Sequence, residues 1–268
     1  MLARHPENRS FTWAPPRGPY RRITAAQAAQ YDAAGYFLLE DAFDAATMAD
    51  VIAAIDPLEA RVEAMLRRQP DETLFIASAG AITFCPQLVT RSPLLHAFCR
   101  HPVFADLAHD LLGPDVRLYW EQAVYKKPER PREFPWHQDN GYTYIEPQQY
   151  LTCWVALTDA TLDNGCPWVA PGRHRDGTLR HELTPIGWRC LDDVPEAVAV
   201  EARAGSIVVF SSLTPHRTGP NVTDAVRKAY IVQLAPDGAV ALRDGARVAQ
   251  DDPERQFPVL AGGVPPRP

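Results

Sequence analysis

The chain has 268 residues, 46% hydrophobic and 22% charged, with a formal net charge of -6. That length can bury a substantial core, and with no Lys/Arg run or basic stripe the chain is not expected to partner nucleic acid or an anionic membrane. The cleanest apolar runs, such as Ile207 to Phe210, are strand-sized and far shorter than a bilayer span.

The opening residues, MLARHPENRS, lack the apolar stretch of a signal peptide. Thr24 with Gln27 three residues later forms a capping-box pattern, and Gly35 supplies a stop, which predicts a helix between them. Asp44 opens a second helix. Asp56-Pro57 is expected to restart it, with Pro57 at a first helical position, and Gln69-Pro70 to end it near Arg68. Ser92-Pro93 and His101-Pro102 each begin a short helix before Gly113-Pro114.

Beyond Gly113 the pattern changes. Residues 116–127, 150–158, 206–213 and 227–234 are rich in β-branched and aromatic side chains and are bounded by turn clusters such as Asp163-Asn164-Gly165. No strand alternates with a long helix, so an antiparallel sandwich or barrel behind a helical layer is expected. Within 151–157 the odd positions (Leu151, Cys153, Val155, Leu157) are apolar and the even ones (Thr152, Trp154, Ala156, Thr158) mixed. Such a strand packs its odd face on helices and turns its even face toward a wet cavity, as in a jelly roll.

There is no internal repeat. Prolines gather near both ends (Pro15, Pro16, Pro19; Pro265, Pro266, Pro268), which predicts extended cover or loose tails on a single domain of residues 1–268. The five cysteines are odd in number and show no C-x-x-C spacing, which points to free thiols and a reducing, cytoplasmic setting.

Phe134-Pro135-Trp136-His137-Gln138-Asp139-Asn140-Gly141 contains a His-x-Asp. On an extended chain, residues two apart share a side, so His137 and Asp139 can reach one metal. His216, at the end of a distant strand, completes the two-histidine, one-carboxylate facial set associated with non-haem iron oxygenases. A His-x-Asp is common by chance, and a second, His174-Arg175-Asp176, lies in a turn that would hold metal geometry poorly. The partners distinguish the first copy. Arg227 follows His216 after a turn and can offer a planar, bidentate grip to the distal carboxylate of a chelating 2-oxo acid. Thr218, two residues from His216, can add a hydroxyl.

The segments WHQDNGY, CWVALTDATLDNGCPWVAPGRH and AGSIVVFSSLTPHRTGPNVTDAVRKAYIVQ, with the N-terminal ITAAQAAQYDAAGYFLLEDAF, resemble the phytanoyl-CoA dioxygenase (PhyH-like) family over about residues 23–235. The resemblance implies a double-stranded β-helix, a cupin-like jelly roll that is mainly β with flanking helices. It also implies Fe(II) at His137, Asp139 and His216, and 2-oxoglutarate at Arg227, with Thr218, Trp154 and Gln122 matching family contacts. The implied activity is an O2-consuming dioxygenase acting on a small-molecule substrate with release of succinate and CO2. Asp139 favours hydroxylation, since related halogenases lack this carboxylate. Arg173 departs from the family, which usually carries Ser at that turn.

Trp136, Tyr142 and Tyr144 flank the motif and are candidates for a substrate pocket or for core packing, as are Trp168, Trp188 and Arg189. Lys127 reads as a pocket residue or a solvated strand end, and Arg173 as a substrate-side residue. His174 and His181 read as surface or pocket-rim residues, and His96, His101 and His109 as helix-surface or packing residues. Two rival readings are a zinc or cupin-type metalloprotein and a non-catalytic binding barrel. The first would give Arg227 no carboxylate to hold.

Overall fold

The computed structural model describes residues 3–243 and 245–266. Thr24 accepts the Gln27 amide while Gln27 accepts that of Thr24, and Gly35 closes the helix Ala25–Ala34 in the left-handed region at φ 83°. Asp44 caps the next helix, which differs from the expectation. It runs unbroken from Ala45 to Leu66 with Pro57 inside. An interior proline costs about 3 kcal/mol. The buried Val51, Ile55 and Leu66 flank it on one face, and fully burying each such side chain contributes about 1.5–3 kcal/mol. The core contacts on both sides of Pro57 therefore outweigh the local break. Pro93–Phe98 and Pro102–Leu111 form the two further helices, each with proline in its first turn.

Eight strands make one antiparallel sheet in the order Tyr36–Leu39, Ile207–Ser211, Leu151–Ala156, Arg227–Pro236, Val116–Lys126, Ile82–Pro86, Ala77–Ser78 and Thr73–Leu74, with Pro258–Leu260 pairing the start of Val116–Lys126. A smaller sheet faces it in the order Val198–Ala199, Pro167–Val169, His216–Thr218 and Phe134–His137. This is a jelly roll, mostly strand, with helices on the outer face of the large sheet.

Strand alternation divides the core as expected. Leu151, Cys153, Val155 and Leu157 join Tyr31, Ile55, Phe98 and Phe104 beneath the helices. Trp154 and Ala156 face the other way, with Phe134, Val169, Phe210 and Ile231 between the two sheets. The described N-terminal residues pack on this body, whereas Pro268 lies outside the described residues. The Asn8 amide donates to the carbonyls of Asp176 and Thr178, and Trp13 lies edge-on to His174 at 4.3 Å. Four of the five free cysteines are buried. No helix among the described residues is long and apolar enough to cross a membrane.

Candidate metal centre

His137 ends the Phe134–His137 strand, and the pairing of that strand with His216–Thr218 sets His216 directly opposite it. The two imidazoles are 4.1 Å apart between centroids. Asp139 follows in a single tight turn, and one ligand atom from each of His137, Asp139 and His216 lies within 4.8 Å of the others. His216 Nε2 is 3.9 Å from Asp139 Oδ1.

The protonation pattern follows from the partners. Nδ1 of His137 is 2.8 Å from the Pro135 carbonyl, and Nδ1 of His216 is 3.0 Å from that of Thr214. A carbonyl can only accept, so both Nδ1 atoms carry the proton and both Nε2 lone pairs are left toward the cluster. Burial, the largest cause, holds His137 down at about 3 and His216 at about 4, so both are neutral near pH 7. Burial raises the Asp139 carboxyl, opposed by the neighbouring His137 and by hydrogen bonds from Thr152 and Gln233. Thr152 Oγ1 donates to Asp139 Oδ2 at 2.5 Å, while Oδ1 is the oxygen toward His216.

The residues between and after the ligands fix the turn. Gln138 points away from the cluster, fully buried. It donates to the carbonyls of Gly177 (3.0 Å) and Leu213 (2.6 Å) and accepts from the Leu179 amide (2.6 Å). Asn140 accepts from the Ile145 amide and donates to Thr178 Oγ1. His181 accepts the Gln138 N–H through Nε2 at 2.9 Å, its Nδ1–H donating to Leu179. A Cβ on Gly141 would meet the His181 ring at 2.0 Å, so glycine is required there by close approach. The sequence reading misses Gln138, Asn140 and the seat of His181, although strand alternation already turns Gln138 to the opposite side from its neighbours. Contrary to expectation, His174 and His181 are buried. His174 is held on the Asp32 carbonyl at 3.1 Å and takes no part in the cluster.

Arg227 is 1% exposed, and its Nε and one terminal nitrogen have no hydrogen-bond partner. The other terminal nitrogen is 3.5 Å from the Val124 carbonyl, and the guanidinium lies 5.1 Å from the Trp154 ring centroid. Burial lowers it to about 9. A buried guanidinium with two orphaned donor nitrogens is a costly arrangement unless an acceptor completes it. The same cavity of about 990 Å³ is lined by His137, Asp139, His216, Arg227, Thr218, Trp154 and Gln122.

Of the candidate substrate residues, Tyr142 lines this cavity, and so does Trp188. Six others lie elsewhere, among them Arg189, which pairs with Asp192 at 3.0 Å. Trp136 alternates away from His137 and packs with Ala170 and Val194. Trp168 sits on the outer side with Arg217 over its ring. Tyr144 stacks on His5 and donates to the Glu7 carbonyl. Lys127 pairs with Glu59 at 2.9 Å, and Arg173 with Glu196 at 2.6 Å on the surface. The sequence reading did not single out the cavity residues Leu74, Phe75 and Ile76, or those between 243 and 256. The apolar run Leu74 to Ala77, between Pro70 and Gly80, carries a signal for the first group.

The phytanoyl-CoA dioxygenase family model matches residues 31–229. A phytanoyl-CoA dioxygenase of Arabidopsis thaliana is 28% identical over 166 residues, covering 60% of this chain and 56% of that protein, so the chain spans about half of it. Phytanoyl-CoA dioxygenase domain-containing protein 1 of Mus musculus is 27% identical, covering 89% of this chain and 98% of its own. Among solved structures, the epimerase SnoN in complex with Fe3+, alpha ketoglutarate and nogalamycin RO superposes with a TM-score of 0.65 at 22% identity. That match covers 82% of this chain and 86% of SnoN.

Proposed function

The chain belongs to the phytanoyl-CoA dioxygenase family, and from that premise we propose that it is an Fe(II)- and 2-oxoglutarate-dependent oxygenase. In this reading His137, Asp139 and His216 hold the iron and Arg227 receives the distal carboxylate of 2-oxoglutarate. The observation that carries it is a His/Asp/His cluster within 4.8 Å, both imidazoles neutral, sharing one cavity with a buried guanidinium that has two unpaired nitrogens. The residues fit both groups. Two free Nε2 lone pairs and one carboxylate make a facial donor set with open positions, and the orphaned Arg227 matches a carboxylate in charge and geometry.

When bound, iron with 2-oxoglutarate and O2 supplies the oxidising power to functionalise an unactivated C–H bond, the co-substrate leaving as succinate and CO2. The protein's part is placement. The carbonyls of Pro135 and Thr214 hold the two imidazoles in the ligating tautomer, and Thr152 leaves Asp139 one oxygen for the metal. Trp154 supports the Arg227 plane, and Thr218 and Gln122 line the same space. Asp139 fills the carboxylate position, which supports hydroxylation of a small-molecule substrate, and the free thiols fit a reducing, cytoplasmic compartment.

The test is an anaerobic titration of the purified protein with Fe(II) and then 2-oxoglutarate. The expected result is a weak visible charge-transfer band that needs both. A zinc-type or non-catalytic barrel would give none. Arg227→Ala should weaken 2-oxoglutarate by orders of magnitude, since breaking such a buried pair costs about 3–5 kcal/mol, while Fe(II) binding survives. Unchanged 2-oxoglutarate affinity in that variant would remove Arg227 from the site.

A further inference from the structure

Between the metal cluster and solvent, one side of the cavity is walled by Ile76, Ile82, Phe84, Phe134 and Trp188. At its mouth the apolar surface does not stop. Met65 (37% exposed), Leu74 (53%), Phe75 (63%) and Val248 (43%) all border the opening. Single exposed apolar residues need no explanation, but a group around one opening marks a contact surface.

The backbone holds two of them there at a cost. Asp71, Glu72 and Phe75 adopt φ of 57°, 54° and 55°, a region that L-residues rarely occupy and that costs about 1–3 kcal/mol each. The hairpin is over-determined at its base. The Ala79 amide donates to the Glu72 carbonyl at 3.0 Å, and Ala77 and Ala79 pack on Leu66. That anchoring keeps Leu74 and Phe75 out at the cavity edge instead of folding them onto the helix.

Apart from Asp139, Arg227 and Arg91, the charged side chains of the cavity come from one segment, Arg243, Asp251, Asp252 and Arg255. There Arg255 pairs with Asp252 at 2.8 Å, and Gln256 donates to the Tyr119 carbonyl. These charges lie on the segment that also brings Val248 to the mouth, while the wall of Ile76, Ile82, Phe84, Phe134 and Trp188 carries none. A volume of about 990 Å³ is at the upper end of the roughly 300–1,000 Å³ range of ligand pockets.

We propose that the cavity takes a predominantly apolar substrate, longer than the pocket encloses, with its outer part held against Leu74, Phe75 and Met65. This inference rests on the oxygenase reading of the same cavity. It makes Leu74 and Phe75 specificity-determining residues, and a small zwitterion, too short to cover them, is not the expected substrate.

The test titrates the purified protein with progesterone, retinol and L-proline while following tryptophan fluorescence, because Trp120 and Trp188 line the cavity. At least one apolar probe should quench saturably and L-proline should not. The double variant Leu74→Ser/Phe75→Ser should bind that probe at least tenfold more weakly. Both positions are solvent-facing, so circular dichroism should match wild type, and the Fe(II)/2-oxoglutarate band should be unchanged. Saturable binding of L-proline, no binding of either apolar probe, or equal affinity in the double variant overturns the proposal. Absence of the charge-transfer band in wild type is a separate failure, of the oxygenase reading, and is read in a separate channel.

Discussion

His137, His181 and His216 share one device: each donates Nδ1–H to the carbonyl two residues earlier and keeps Nε2 as an acceptor. In two of them the acceptor faces the cluster, and in the third it takes the Gln138 amide. Gly141→Ala would drive a Cβ into the His181 ring. It should cost about 1–3 kcal/mol and weaken Fe(II) binding, read by urea denaturation and metal titration. Burial also sets a pH dependence. His174 is held down at about 4, burial being the largest cause, against about 6.5 unfolded. Its folded value is the lower one, so the unfolded state binds the proton more tightly. The neutral form's stability is fully present above pH 6.5 and is lost as pH falls toward 4. That window is worth roughly 3 kcal/mol at about 1.4 kcal/mol per unit. Urea midpoints of the metal-free protein should drop between pH 6.5 and 4, and His174→Gln should flatten the slope. An equal slope in the variant would assign the loss to the other buried histidines.

Among the elements, the two sheets are joined at one end of the barrel by Lys126. This residue ends the Val116–Lys126 strand and is 1% exposed. Its ammonium donates to the carbonyls of Arg132 (2.8 Å), Thr218 (3.3 Å) and Gly219. It therefore ties the large sheet to the turn that follows His216 and Thr218, beside Arg227, its register partner. Lys126→Met keeps the stem and strands three carbonyls. At about 1–3 kcal/mol for each unsatisfied buried group, it should lower stability by several kcal/mol in urea unfolding. It should also weaken 2-oxoglutarate, because the Thr218 turn loosens, while Fe(II) binding falls less. An unchanged unfolding midpoint would mean that water replaces the lysine.

The whole molecule is a jelly roll whose helices seal one sheet from outside, leaving the space between sheets as the cavity. Anything that binds the folded form there stabilises it, by about 2.7 kcal/mol at a hundredfold excess over Kd. Thermal unfolding should therefore rise in two steps, first with Fe(II) and then with 2-oxoglutarate. In Arg227→Ala the first step should remain and the second disappear. A single step in wild type, with no response to 2-oxoglutarate, would count against the cavity as its site.

The residues by themselves determined the caps, the strand faces and the His137, Asp139 and His216 cluster. A capping box, a period of two and a His-x-Asp are local patterns, and local geometry enforces them wherever they occur. Tertiary structure decided what depends on distant partners. Pro57 stays helical because both its flanks are buried, a fact no window around Asp56-Pro57 contains. Trp136 and Trp168 face away from the cavity because their strands are pinned by neighbours whose register is set across the sheet. His181 became a support for the metal turn only when a loop some 40 residues on folded back over Gly141. The cavity mouth likewise joins a hairpin near residue 75 to a segment near 250, and such long-range closure leaves no periodic trace in the chain.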